Sequence, residues 1–385
     1  MIDFITPTQL SAAMRLALWC LLFQTLILLQ GCSREDNMAT PPVAASTNFP
    51  GGTPSGAPTY AMLRVFYGTD RNVISKSGGR VVYGGDRAEV SYGTCEVSIP
   101  RDHRMGELES PSILKLEFRE DPEKHVVLLR ISAQEKGVFF ADLGARIKAS
   151  RDKKAFVFIH GYNVTFEDAA RRTAQISYDL GFDGAPVFYS WPSQGTFEGY
   201  PVDETNIEWT QANLKLFLED FLNKTDAESI YLIAHSMGNR ALTKAFALLI
   251  AQEPLARKKF RELILTAPDI DAAVFKRDIA PQLRGAETLV TLYASSADKA
   301  LAASKRFHGY PRAGDAGDNI VLVAGIDTID ATAVDTSFLG HSYFAESSSV
   351  LADIYHLIRE GTHPNKRLGL SPVTTPSGQY WVFKK

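Results

Sequence analysis

The sequence predicts an α/β fold: a mostly parallel central sheet flanked by helices, with an N-terminal β extension. Three observations predict it. Apolar runs at Ala155–Ile159, Val187–Tyr189, Ile230–Ile233, Leu263–Leu265, Leu289–Tyr293 and Ile320–Val323 are continuous rather than alternating, as strands buried on both faces require. Helical stretches separate them at about 166–180, 206–222, 239–252 and 347–360. Strand-helix alternation at that spacing implies right-handed βαβ units and hence parallel strands.

The individual elements follow from local pattern. Met62–Tyr67, Ser91–Ile99, Ile113–Phe118 and Val126–Ile131 are short runs between Gly and Pro punctuation and read as strands of the extension, spanning 60–135. Glu135–Ala149 places Val138, Phe139, Leu143 and Ile147 on one helical face. Thr165 with Asp168, and Thr205 with Glu208, are spaced as capping boxes that start helices. The main domain is read as 60–361. The tail, 362–385, carries one apolar cluster, Tyr380–Phe383, suited to an edge strand.

Composition narrows the function. The 385 residues are 45% hydrophobic and 22% charged, with 41 basic residues scattered among 44 acidic ones. No basic stripe exists to hold phosphates, so nucleic acid is not an expected partner. The three cysteines, Cys20, Cys32 and Cys95, offer no internal disulfide once export is considered, and none sits at zinc-ligand spacing. No metal is expected.

The N-terminus has the form of a secretory signal: Arg15, the apolar run Leu16–Phe23, then Thr25–Leu29. It ends in Leu29-Gln30-Gly31-Cys32, which resembles the lipobox of bacterial lipoproteins. The resemblance implies a signal peptide over 1–31, with translation starting at Met1 or Met14, and lipid on Cys32. Residues 33–58 are rich in Pro, Gly, Ser, Thr and Ala and bury little apolar surface, so 32–59 reads as the lipidated cysteine and a flexible tether. The expected location is the cell envelope with a membrane partner through the anchor; Ser33 resembles outer-membrane sorting, facing the periplasm.

The strongest chemical signal is Ala234-His235-Ser236-Met237-Gly238 between an apolar strand and a helix. It resembles the nucleophile elbow G-x-S-x-G, in which serine projects from a sharp turn and only small residues fit two positions either side. Ala234 stands where glycine is usual. Ser236 is the candidate nucleophile, and the Met237 N–H, at the positive end of the following helix, is a candidate oxyanion donor. The bland alternative is a serine capping an ordinary helix. His160-Gly161-Tyr162-Asn163 ends an earlier buried strand, and the Tyr162 N–H is the second candidate donor.

The hydrolase order places acid and then base after the serine. His341, in Leu339-Gly340-His341-Ser342-Tyr343-Phe344, follows the last core strand and is the candidate base, with His308 as runner-up in a Gly- and Arg-rich loop. His356 lies off its helix's apolar face and His363 in the tail. Asp298, just past the penultimate strand, is the candidate acid; Asp269 and Asp271 are the alternatives. Trp191 and Tyr200 either line the mouth of the site or pack against the adjacent loop.

Taken together, Val65–Arg71, Val97–Pro100, Phe158–Asn163, Tyr189–Ser193, Ala234–Gly238, Ala267–Asp271 and Gly340–Phe344 resemble a family of uncharacterised bacterial alpha/beta hydrolases described as esterase- or lipase-like. The resemblance covers roughly 60–345 and implies the alpha/beta-hydrolase fold and hydrolase activity without a cofactor. The expected activity is carboxylic ester cleavage by a serine acyl-enzyme, on a small-molecule or lipid ester. The rival reading is an envelope interaction protein that kept the fold and lost the chemistry.

Overall fold

The computed structural model describes residues 59–77, 80–112, 117–285, 287–334 and 348–384. Cys32, the tether and the candidate base His341 lie outside the described residues.

The strands are β1 (Tyr60–Ser77), β2 (Arg80–Pro100), β3 (Val127–Gln134), β4 (Lys154–Ile159), β5 (Ala185–Ser190), β6 (Ser229–His235), β7 (Phe260–Thr266), β8 (Leu289–Ala294), β9 (Asp327–Asp330), β10 (Leu370–Thr375) and β11 (Gly378–Phe383). They form one sheet in the order β10-β11-β9-β8-β7-β6-β4-β5-β1-β2-β3. Pairing is parallel from β1 through β5, β4, β6, β7, β8 and β9 to β11. Antiparallel pairs, β1 with β2, β2 with β3 and β10 with β11, close the two edges. The N-terminal strands therefore extend the main sheet through the parallel β1–β5 pair rather than standing beside it.

The principal helices are α1 (Lys136–Lys148), α2 (Phe166–Asp179), α3 (Tyr200–Lys224), α4 (Gly238–Gln252), α5 (Lys299–His308) and α6 (Ser348–Glu360). They cover both faces, and the strand period of two decides which side chain meets which layer. Ala155, Val157 and Ile159 of β4, with Ile230 and Leu232 of β6, join Phe139, Phe217 and Leu242 from α1, α3 and α4. Phe156 and Phe158, with Tyr231 and Ile233, join Ala170 of α2 and Leu351 and Ile354 of α6. That double burial is why these runs read as continuously apolar.

Several expectations are met and several are corrected. Thr165 and Asp168 form the reciprocal capping box that opens α2. Thr205 and Glu208 do not open a helix: α3 starts at Tyr200, with Pro201 in its first turn and Thr205 donating to the Pro201 carbonyl. Proline needs no N–H partner there and has its φ preset, so it starts the helix earlier. On α1 the buried set is Phe139, Phe140, Leu143 and Ile147, while Val138 is exposed. Ile320–Val323 is not a strand. The chain reverses through Gly325, in the left-handed region at φ 82°, and β9 forms at Asp327–Asp330. Of the run Ile113–Phe118, residues 113–116 lie outside the description and Glu117 and Phe118 are not in a strand. The Tyr380–Phe383 cluster does form a strand, β11. Cys95 is a buried thiol whose ionisation burial strongly opposes. Among the described residues no helix is long and apolar enough to cross a membrane.

Candidate active site

Loops at the carboxyl ends of β4, β5, β6, β7 and β8 converge where β4 lies between β5 and β6, the position at which open α/β sheets collect ligands. Ser236 sits there, between β6 and α4, in the left-handed region at φ 49°. That conformation costs a non-glycine residue on the order of 1–3 kcal/mol and persists only where its surroundings enforce it. Here they do. The Ser236 N–H donates to the Thr266 carbonyl at 3.0 Å, and the Ser236 carbonyl accepts from Asn239 N and Asp269 N, both at 3.2 Å. Asn239, fully buried, adds two side-chain bonds, to the Ser236 and Thr266 carbonyls at 3.0 and 3.1 Å.

Small residues let the neighbouring strands close on this turn. A Cβ at Gly238 would stand 2.4 Å from the His160 carbonyl oxygen, so no side chain fits. A Cβ at Gly161 would stand 3.1 Å from Ser236 Cβ and 2.9 Å from His235 Nδ1. The loop after β4 therefore lies directly against the serine. Ala234, buried in β6, is accommodated with its methyl in the core cluster. Met237 is the N-cap of α4, and the first N–H groups of a helix lack partners within it.

A strand-to-helix turn of this form, a strained serine, glycines two residues after it and across from it, and a parallel sheet beneath identify the domain, and a family model agrees: residues 136–360, more than half of the chain, match the alpha/beta hydrolases of unknown function (DUF900). The chain belongs to that family. A comparison with curated proteins finds no match. Among solved structures, this hydrolase is similar to an esterase from the fungus Rhizomucor miehei at 9% identity and TM-score 0.35, covering 78% of this chain and 83% of that one. It is also similar to LpqC, a poly(3-hydroxybutyrate) depolymerase from Bordetella parapertussis, at 11% identity and TM-score 0.32, covering 80% and 92%. A third is an esterase from Pyrobaculum calidifontis, at 10% identity and TM-score 0.30, covering 54% and 76%.

The hydrolase's candidate acids differ sharply in surroundings. Asp269, 1% exposed, lies after β7. Its Oδ1 accepts from Ser304 Oγ at 2.5 Å and Arg312 Nε at 2.7 Å; its Oδ2 accepts from Tyr200 at 2.7 Å and Arg240 at 3.1 Å. Four donors fill the roughly four lone-pair sites of a carboxylate. Burial opposes the charge, but Arg240 and Arg312 outweigh it and hold the group below its ordinary range. Asp271 caps the helical turn at Ala272–Val274 through Ala273 N and Val274 N. Asp298, half-buried beyond β8, accepts from Leu301 N at 2.9 Å at the start of α5. It also stands close enough to the Tyr162 phenol, after burial and together with Asp203 and Asp269, to discourage that phenol's ionisation.

His308 is the last residue of α5, which Gly309 ends in a left-handed turn, and does not lie in a loop. Its Nε2 is 2.9 Å from Glu204 Oε1 and its Nδ1 is 2.8 Å from the Ser304 carbonyl. Glu204 also accepts from Arg240, so His308 belongs to the network around Asp269. His356 is exposed beside Glu360, and His363 pairs with Asp327 at the surface. Trp191 is fully buried, stacked on His160 and donating to the His160 carbonyl at 2.8 Å, so it packs beneath the loop. Tyr200 stands edge-on to Tyr162 at 5.1 Å.

Two residues to which sequence reasoning gave no role are central to this framework. Arg71, 2% exposed, donates to Ser190 Oγ, the carbonyls of Gly84, Ser193 and Val164, and approaches His160 Nε2 at 3.4 Å. Burial lowers its basicity to about 10 and lowers that of His160 well below the usual imidazole range, with Arg71 adding to the latter. His160 is therefore a neutral scaffold ring. Asp203, buried in the first turn of α3, is the other. The available signal was the charged pair Asp70-Arg71 close behind the apolar run Val65–Tyr67 of β1. Among the described residues no cluster of His, Cys, Asp and Glu suits a metal ion.

Proposed function

We propose that this hydrolase cleaves carboxylic esters through an acyl-enzyme on Ser236, in the bacterial cell envelope, where lipid on Cys32 anchors it. The observation that carries the reading is the strained elbow: a serine at φ 49°, braced from three sides and facing the Gly161–Tyr162 loop. A serine held this way projects its hydroxyl past the sheet edge toward the backbone N–H groups that would bind an oxyanion. In the proposed cycle His341 takes the Ser236 proton as Oγ attacks the ester carbonyl. Met237 N–H and Tyr162 N–H stabilise the tetrahedral oxyanion. His341 then protonates the leaving alcohol, and water repeats the sequence to release the acid. Asp298 is the proposed partner that orients the imidazole. The cycle requires no metal or organic cofactor.

A fluorophosphonate probe tests the chemistry on the full-length chain in detergent. The expected result is a label on Ser236 by peptide mass spectrometry, abolished in Ser236→Ala and His341→Ala. No label on folded wild-type protein overturns the hydrolase mechanism and favours a binding role for the fold. Label that survives His341→Ala moves the base elsewhere. The anchoring is checked by metabolic incorporation of a palmitate analogue, expected in the wild type and lost in Cys32→Ser; equal incorporation in both would remove Cys32 from the proposal.

A further inference from the structure

The loop carrying the Tyr162 N–H is suspended from a buried carboxylate with no part in the proposed proton transfers. Asp203 is fully buried in the first turn of α3. Its Oδ2 accepts from Ser193 Oγ at 2.6 Å and from Asn163 N at 3.3 Å, while Oδ1 accepts from Gln194 N at 2.8 Å. Ser193 Oγ in turn accepts from Val164 N at 3.2 Å. Two consecutive N–H groups of the loop, those of Asn163 and Val164, thus lead to one carboxylate, directly and through one hydroxyl. Arg71 holds the next link by donating to the Val164 carbonyl at 2.7 Å. It ties the same guanidinium to the Ser193 carbonyl at 2.8 Å.

Asn163 lies in the left-handed region at φ 55°, which asparagine enters more readily than other residues with a Cβ, and its N–H is tied there to Asp203. On the other side, Gly161 is packed against Ser236 and His235. Tyr162 therefore sits between a residue fixed by the nucleophile elbow and a residue fixed by Asp203. Its ring is held at the same time against Tyr200 of α3, the helix that carries Asp203. The direction of its N–H follows from these three restraints. A donor stabilises an oxyanion only if it is aimed before the charge develops.

We propose that Asp203 is a positioning residue that aims the Tyr162 N–H at the oxyanion, with Ser193 and Arg71 as its supports. The inference rests on the serine-hydrolase reading above. An amide at 203 keeps the size but offers a single acceptor oxygen and turns an NH2 toward groups that are themselves donors. Asp203→Asn is expected to lower kcat by roughly 10- to 100-fold, a fraction of the loss on removing an oxyanion donor outright, while KM for a short ester changes by less than about threefold.

The decisive readout is a pair of inhibitors tested on the full-length chain. A trifluoromethyl ketone adds to the serine and forms an oxyanion; the matching methyl ketone binds without one. Asp203→Asn is expected to weaken the first in step with kcat/KM and to leave the second unchanged. Equal weakening of both, or a wild-type kcat in a variant that merely melts earlier, overturns the proposal and leaves Asp203 structural. Ser193→Ala removes the link to Val164 and keeps the carboxylate, so it serves if the first variant does not fold. It should lower kcat several-fold with the same inhibitor signature, and an unchanged kcat there overturns the proposal. The two readings fail separately. Wild-type protein that a fluorophosphonate leaves unlabelled defeats the serine-hydrolase reading, and this inference with it. Wild-type label on Ser236, with Asp203→Asn reacting at the same rate, defeats the inference alone.

Discussion

The carboxylates beyond β7 and β8 occupy successive strand ends and have opposite surroundings. Asp269 is sealed beneath two arginines, a tyrosine and a serine, each of its oxygens accepting two hydrogen bonds. Its backbone N–H also braces the Ser236 carbonyl. Asp298 is half-buried beyond β8 and caps α5 by accepting from Leu301 N. A carboxylate serves an imidazole only if it keeps a lone pair and an uncompensated charge to offer. Asp269 has committed both to arginine. Position along the chain made Asp298 the candidate and Asp269 an alternative; the two arginines on Asp269 count against the alternative.

The largest expected effect exploits this difference in one paired experiment. Asp298→Asn should cut kcat by about 10³- to 10⁴-fold, the scale of losing the acid of a triad, with little change in melting temperature. Asp269→Asn should do the reverse. It leaves Arg240 and Arg312 facing an amide, at a cost on the order of 3–5 kcal/mol, read as a lowered denaturation midpoint, while any protein that remains folded keeps much of its kcat. A collapse of activity in Asp269→Asn without loss of stability would exchange the two assignments.

A smaller effect sharpens the contrast between sites that use charge for chemistry and those that use it for fastening. His103, nearly inaccessible, lies 2.8 Å from both Glu109 and Asp179, and so pins the loop after β2 to the end of α2. Burial alone would lower its basicity, but its hydrogen bonds to Asp179 and Glu109 outweigh burial and raise it to about 9. A folded-state value above the unfolded one stabilises the protein fully below about pH 6.5. The contribution fades as pH rises and is lost through about 9, a span worth on the order of 3 kcal/mol. Urea midpoints from pH 6 to 10 should fall across that window in the wild type and be flatter in His103→Gln. Parallel curves would remove His103 from the linkage.

What was legible in the sequence was what a short stretch of chain decides for itself. The buried strands announced themselves through continuous apolar runs, the capping box of α2 through Thr165 and Asp168, and the elbow through small residues around Ser236. Where the reading failed, a competing local or distant effect was stronger. Pro201 starts α3 before Thr205 can. The chain turns at Gly325, so the last strand of the parallel core falls on Asp327–Asp330 and not on the more apolar run before it. His308 ends a helix, Lys299–His308, whose Ala, Leu, Lys and Arg favour it, but the Gly-rich stretch that begins at Gly309 made the segment read as a loop.

The framework around the site was harder to see, because its members act across long stretches of sequence. Asp203 resembles any acidic residue in the first turn of a helix, and Asn239 any polar residue on one. Only folding shows the first supporting a loop forty residues earlier and the second bracing a strained serine. The sequence by itself determined the α/β architecture, the family and the strand-to-helix turn that carries Ser236, because period, residue size and turn chemistry are properties of neighbouring residues. Tertiary structure decided which aspartate is saturated, which histidine is scaffold and which carboxylate holds the loop after β4. Those distinctions depend on burial and on who donates to whom, and such partners meet only when distant segments are packed together.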